Sequence, residues 1–108
     1  MRIVSAKVWL VEGVKYNWTL LKLATEDGLT GIGEATNWPG SPMVEAAARH
    51  VAESVIGQDA GRIGYLWTKS YRDFNWLGQA GPLMDAISAV DIALWDIQAK
   101  RAGVPLYQ

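Results

Sequence analysis

The sequence predicts an α+β fold, a three-stranded antiparallel meander followed by three helices, and three observations lead there. Apolar residues alternate with polar ones through the first third of the chain, at the period of strands with one face on a core. Asp27-Gly28 falls between two of these runs, and this dipeptide suits the positive-φ positions of a tight hairpin. From Ser41 onwards the period becomes helical, ending in the long stretch Gly81–Gly103. Strands followed by helices, without strand–helix alternation, give α+β.

The first strand is expected over 3–11, with Val4, Ala6, Val8 and Leu10 on one side and Ser5, Lys7 and Trp9 on the other. The second covers 16–26, where Thr19, Leu21 and Leu23 face away from Trp18, Leu20 and Lys22. A third follows over 29–37. In it Gly31 and Gly33, two apart on one face, mark a close approach by a neighbour. Ser41-Pro42 reads as an N-cap and first helical residue, opening a helix over 42–56 whose stripe is Val44, Ala47, Ala48, Val51, Ala52, Val55 and Ile56. Glu45, Arg49 and Glu53 fall four apart on its outer face, as solvated ion pairs do, and His50 lies on that polar side. Gly57 stops it. A second helix is expected over 60–71, capped by Asp59, with Ile63, Leu66, Trp67 and Tyr71 on one face.

The third helix, 82–102, is bracketed by Pro82 at its start and by Gly103 and Pro105 at its end. At ~1.5 Å per residue it runs on the order of 30 Å. Leu83, Ala86, Ile87, Val90, Leu94 and Ile97 form one face, yet Met84, Ile92, Ala93 and Trp95 lie off it. A helix apolar on most sides is buried on most sides. The rest of a 108-residue chain is too little to cover it, so the isolated chain is expected to expose an apolar patch and self-associate.

Composition narrows the function classes. The formal net charge is -1, with ten basic and eleven acidic residues showing no one-sided clustering. Without a basic stripe, nucleic acid is not an expected partner. The lack of cysteine excludes disulfides, thiol catalysis and zinc-thiolate sites, and fits a cytoplasmic protein. No run approaches the ~20 apolar residues of a membrane span, and no signal-peptide pattern opens the chain.

No constellation of residues carries chemistry by itself. Asp91 and Asp96 lie on the hydrophobic helix, but a structural role is the expected one: Asp96 has Lys100 four residues on, and Asp91 can meet an arginine or backbone donors of a neighbour. Glu34, among glycines on a strand, suits packing or hydrogen bonding. Gly31-Ile32-Gly33 lacks the frame of a phosphate loop. The single histidine leaves no Ser-His-Asp set. Catalytic and metal-ligating residues are therefore expected to be none.

Several stretches, in order, resemble one family. They are Asn17-Trp18-Thr19, then Thr25-Glu26-Asp27-Gly28-Leu29-Thr30-Gly31-Ile32-Gly33-Glu34-Ala35, then Ile56-Gly57-Gln58-Asp59 and Tyr71-Arg72. Asp91-Ile92-Ala93-Leu94-Trp95-Asp96-Ile97, Lys100 and Gly103-Val104-Pro105-Leu106-Tyr107 complete the set. Together they resemble the N-terminal capping domain of the enolase superfamily, in its mandelate racemase and muconate lactonizing branch. Asn17-Trp18 and Gly33-Glu34-Ala35-Thr36 look most like the galactonate and mannonate dehydratases. The resemblance makes residues 1–108 one capping domain.

The resemblance implies a parent with a β/α barrel after the cap. The barrel's bases abstract the proton α to a carboxylate, and its carboxylates hold Mg²⁺, which stabilises the enediolate. Dehydration, racemisation or cycloisomerisation would follow. None of the barrel positions occurs in these residues, so the chain alone is expected to be inactive. The cap's share is two loops that close the barrel mouth and select the distal end of the substrate. By position they are Glu12–Asn17 and Thr36–Ser41. The substrate-binding candidates are Lys15 and Asn17 in the first and Asn37 in the second, with polar groups suited to sugar hydroxyls, together with the loop aromatics Tyr16 and Trp38, of which Trp38 offers an apolar wall. This polarity favours an acid-sugar substrate, and a homo-oligomer is expected. The rival reading is a free-standing, non-catalytic α+β module that binds a partner through the long helix.

Overall fold

A computed structural model describes residues 1–11, 18–35, 41–74 and 82–106. Three strands, β1 (Ile3–Val11), β2 (Trp18–Thr25) and β3 (Thr30–Glu34), precede three helices, α1 (Ser41–Ser54), α2 (Ile63–Phe74) and α3 (Pro82–Ala102). The sheet is antiparallel in the order β1-β2-β3, the expected meander. Residues 26–28 make its hairpin turn, and of the Asp27-Gly28 dipeptide only Gly28 takes a positive φ, at +88°. The Thr25 hydroxyl donates to Asp27 Oδ1 at 2.6 Å, which ends β2 there.

Alternation places Thr19, Leu21 and Leu23 of β2 in the core, as read from the sequence. In β1 one residue departs from it. Val4 is 50% exposed and Ile3 is buried in its place, because the register with β2 shifts between Ile3 and Ser5. A bulge there turns the side chains before it to the other face.

Helices α1 and α3 lie on the inward face of the sheet, and α2 packs on α3. The core joins Leu21 and Leu23 of the sheet to Val44, Ala48 and Val51 of α1 and to Ala93, Leu94 and Ile97 of α3. Helix α1 stops two residues before the expected 56, so Ile56, expected on its apolar stripe, lies past its end and is exposed. The amides of Val55 and Ile56 reach back three residues, to the Ala52 and Glu53 carbonyls, and Gly57 follows at φ +91°. Arg49 pairs with Glu45 at 3.3 Å, and His50 is on the surface. Helix α2 begins three residues later than expected. Asp59 does cap, but it closes a turn: its Oδ1 accepts from Gly61 N–H at 2.9 Å and its carbonyl from Arg62 N–H. Helix α3 has the expected bounds, and Gly103 at φ +75° ends it. No helix of the described residues is long and apolar enough to cross a membrane.

The two glycines of β3 are seats for α3. A Cβ at Gly31 would overlap the Ala93 carbonyl oxygen and come within 2.7 Å of Ile97 Cγ1. At Gly33 it would overlap the Ala89 carbonyl and lie 2.8 Å from its carbon. Small residues on both sides, Gly31 and Gly33 against Ala89 and Ala93, let helix and strand backbones approach closely.

Candidate functional site

Register brings the connecting segments to one end of the sheet. Val11, the last residue of β1, is opposite Trp18, the first of β2, so both stems of segment 12–17 stand side by side at that end. Glu34, the last residue of β3, is opposite Leu20, and Ala35 N–H donates to the Thr19 carbonyl at 3.0 Å. Segment 36–40 therefore leaves from the same end, one strand over from the stems of 12–17. Helix α3 runs antiparallel to β3, since Gly33 meets Ala89 and Gly31 meets Ala93. Its N-terminal end points the same way. The substrate-binding candidates Lys15, Tyr16, Asn17, Asn37 and Trp38 lie outside the described residues; their stems are what the structure brings together.

The stem of the second segment is held by a strap that sequence reading recognised only in part. Asp96 and Lys100 pair at 3.4 Å along α3, as their spacing predicts. Asp96 Oδ2 also accepts from the Ile32 amide at 3.1 Å, and Lys100 Nζ donates to the Thr30 carbonyl at 2.7 Å. Two backbone groups on the free edge of β3 are thus taken by side chains of the helix beneath it. The i,i+4 pair was visible in the sequence; its strand partners, more than sixty residues away, gave no signal.

The other acidic candidates differ from expectation. Glu34 is exposed on the outer face of β3, because Gly31 and Gly33 occupy the inward positions. Asp91 lines the cleft between α2 and α3 with Leu66, Trp67, Ser70 and Leu94, and makes no hydrogen bond or ion pair to the described residues. Burial pushes its carboxyl above the usual range. Asp27 moves the opposite way, held low chiefly by the Thr25 hydroxyl. Among the described residues no group of three His, Cys, Asp or Glu could hold a metal ion, so those residues do not fit Mg²⁺.

Helix α3 has a second, uncovered face. Ile92 and Trp95 are 42% and 49% exposed, and Trp95 borders a groove of about 140 Å³ lined by Ala99, Ala102, Val104 and Leu106.

The described geometry defines an α+β domain that gathers connecting segments at one end and leaves an apolar helix face open. Residues 11–108 match the mandelate racemase / muconate lactonizing enzyme N-terminal domain family, and the chain belongs to it. It is 44% identical over 110 residues to a D-mannonate dehydratase of Caulobacter vibrioides, covering all of this chain and 27% of that protein. A D-galactonate dehydratase family member of Pseudarthrobacter chlorophenolicus is 45% identical, with all of this chain and 26% of the relative covered. The structure of an enolase from Pantoea ananatis with bound D-gluconate and Mg superposes with a TM-score of 0.86 at 34% identity, over 98% of this chain and 26% of that one. The chain spans about a quarter of the length of these relatives.

Proposed function

We propose that residues 1–108 form the substrate-selecting cap of a Mg²⁺-dependent acid-sugar dehydratase, working with a catalytic barrel supplied by other residues. The observation that carries this reading is the convergence of the stems of 12–17 and 36–40 at one end of the sheet. Lys15, Tyr16, Asn17 and Asn37 then meet the distal hydroxyls of the acid sugar, and Trp38 walls the site. Loops that close a barrel mouth exclude water and add contacts remote from the reacting carbon.

The exposed face of α3 suits the same reading. Trp95 and the groove beside it are an apolar docking surface of the kind a barrel would cover, and leaving them wet costs ~25 cal/mol per Å². The metal and the bases belong to the barrel, so no chemical step is assigned to this chain. The whole protein is taken as a cytoplasmic homo-oligomer.

Two preparations test the proposal: the purified 108-residue chain, and the same chain fused in place of the matching first quarter of the Caulobacter relative. The chain alone should dehydrate no acid sugar, with or without Mg²⁺, and the fusion should turn over. Mg²⁺-dependent dehydration by the chain alone would overturn the reading.

A further inference from the structure

Among the described residues, the helices that reach the sheet pack on its inward face and leave its outer face open. Register arranges this outer face in rows: Val11 beside Trp18, then Trp9 beside Leu20 and Glu34, then Lys7 beside Lys22 and Ile32. Trp9, Val11, Trp18 and Ile32 are each more than a third exposed. A sheet face open to water ordinarily alternates to polar residues, which makes this apolar strip an exception. Lys7 and Lys22 stand directly opposite, an arrangement that like charges disfavour. Neither lysine has an ion-pair partner among the described residues, and neither does Glu34, diagonal to Lys22.

We propose that a second copy of this protein docks on this face as a two-fold pair, with Glu34 of each copy meeting Lys22 and Lys7 of the other. The proposal rests on the homo-oligomeric part of the reading above and is independent of the cap role. A two-fold interface requires a self-complementary patch. This one holds both unmatched signs around an apolar strip. Part of each sheet edge is already engaged. At β3 the Ile32 amide and Thr30 carbonyl are engaged by Asp96 and Lys100. At the start of β1, Ile3 exchanges hydrogen bonds with Gln58 and Gly57. A second copy therefore stacks on the sheet, as two sheets do in a sandwich. Placing Glu34 over Lys22 sets the two-fold near the Leu20–Ile32 diagonal, so Ile32 lies close to its own counterpart. Val11, Trp18 and Glu34 are also the stems of 12–17 and 36–40, and the second copy would lie against them.

The experiment is sedimentation velocity over a concentration series, on a chain carrying Trp95→Glu to silence the exposed face of α3. That chain should still dimerise. Adding Glu34→Lys should raise the dimer Kd at least about tenfold, because each substitution acts twice across the two-fold. Adding Lys7→Glu and Lys22→Glu to Glu34→Lys should restore the dimer. The chain has no cysteine, so a single Ile32→Cys substitution should give disulfide-linked dimers on oxidation, whereas Met43→Cys on the exposed side of α1 should not. Association unmoved by Glu34→Lys, with no cross-link through position 32, overturns the proposed face while leaving oligomerisation through another. A chain that is monomeric throughout, with and without Trp95→Glu, overturns both.

Discussion

Replacing Gly33 with alanine should unfold a measurable part of this protein, and the size of the effect follows from what the new methyl meets. A Cβ at Gly33 would overlap the Ala89 carbonyl oxygen, 2.8 Å from its carbon and 3.1 Å from its Cα. All three atoms are backbone of α3, so no side chain can rotate away. Either β3 or α3 must move, and both are tied down: Ile97 and Leu94 are buried on one side, and Asp96 and Lys100 grip the strand on the other. Overpacking of this kind costs ~1–3 kcal/mol. The upper part of that range is expected here, because the obstacle is rigid. For a domain of about this size, ~2–3 kcal/mol lowers Tm by roughly 10–20 °C. Urea unfolding monitored by tryptophan fluorescence is the assay, with the midpoint reduced and the slope unchanged. Gly64→Ala is the control: nothing lies within 4 Å of a Cβ there, and it sits in α2, so the change should be neutral or stabilising by up to ~1 kcal/mol. A Gly33→Ala chain as stable as the parent would refute the close seating of α3 on β3.

Further predictions concern the strap, the two faces of α3 and the carboxylates. Asp96→Ala removes the bond to the Ile32 amide and the pair with Lys100, and should cost ~1–2 kcal/mol while speeding amide exchange at Ile32. Leu94→Ala should cost ~2–5 kcal/mol, whereas Trp95→Ala, next to it in sequence but half exposed, should change stability of the chain by about 0.5 kcal/mol or less. Asp91, with its carboxyl raised by burial, holds its proton longer when folded; its contribution to stability therefore falls as pH rises from the ordinary carboxylate value through the raised one. Asp91→Asn should remove that decline. Asp27, lowered by the Thr25 hydroxyl, contributes stability that is present above the ordinary value and lost as pH falls through the lowered one. Carboxyl NMR titration should find the two displaced in opposite directions.

Much of this architecture can be read directly from the residues, and the failures have physical causes. Helix α3 was legible to its ends because Pro82 and Gly103 bracket an unbroken apolar pattern. The close approach at Gly31 and Gly33 was legible too, although the opposing Ala89 and Ala93 were not: a glycine announces that something comes near without saying what. Val4 was misplaced because a bulge is a property of two strands, and its cause lies in the pairing with Thr25 and Ala24. The start of α2 slipped because Asp59 can close a turn as readily as cap a helix. At the candidate site the polar residues of 12–17 and 36–40 could be picked out, but the meeting of their stems depends on strand register, which adds up only once the whole meander is paired.

The cap role is tested most directly by steady-state kinetics on the fusion to the Caulobacter relative, comparing the native loops with Asn17→Ala and Asn37→Ala across a panel of acid sugars. If these loops select the substrate, each substitution lowers kcat/KM about tenfold or more for the preferred sugar, corresponding to ~1–2 kcal/mol for a lost hydrogen bond, and narrows the gap between sugars. A fusion whose kcat/KM values are the same with and without both asparagines would contradict it.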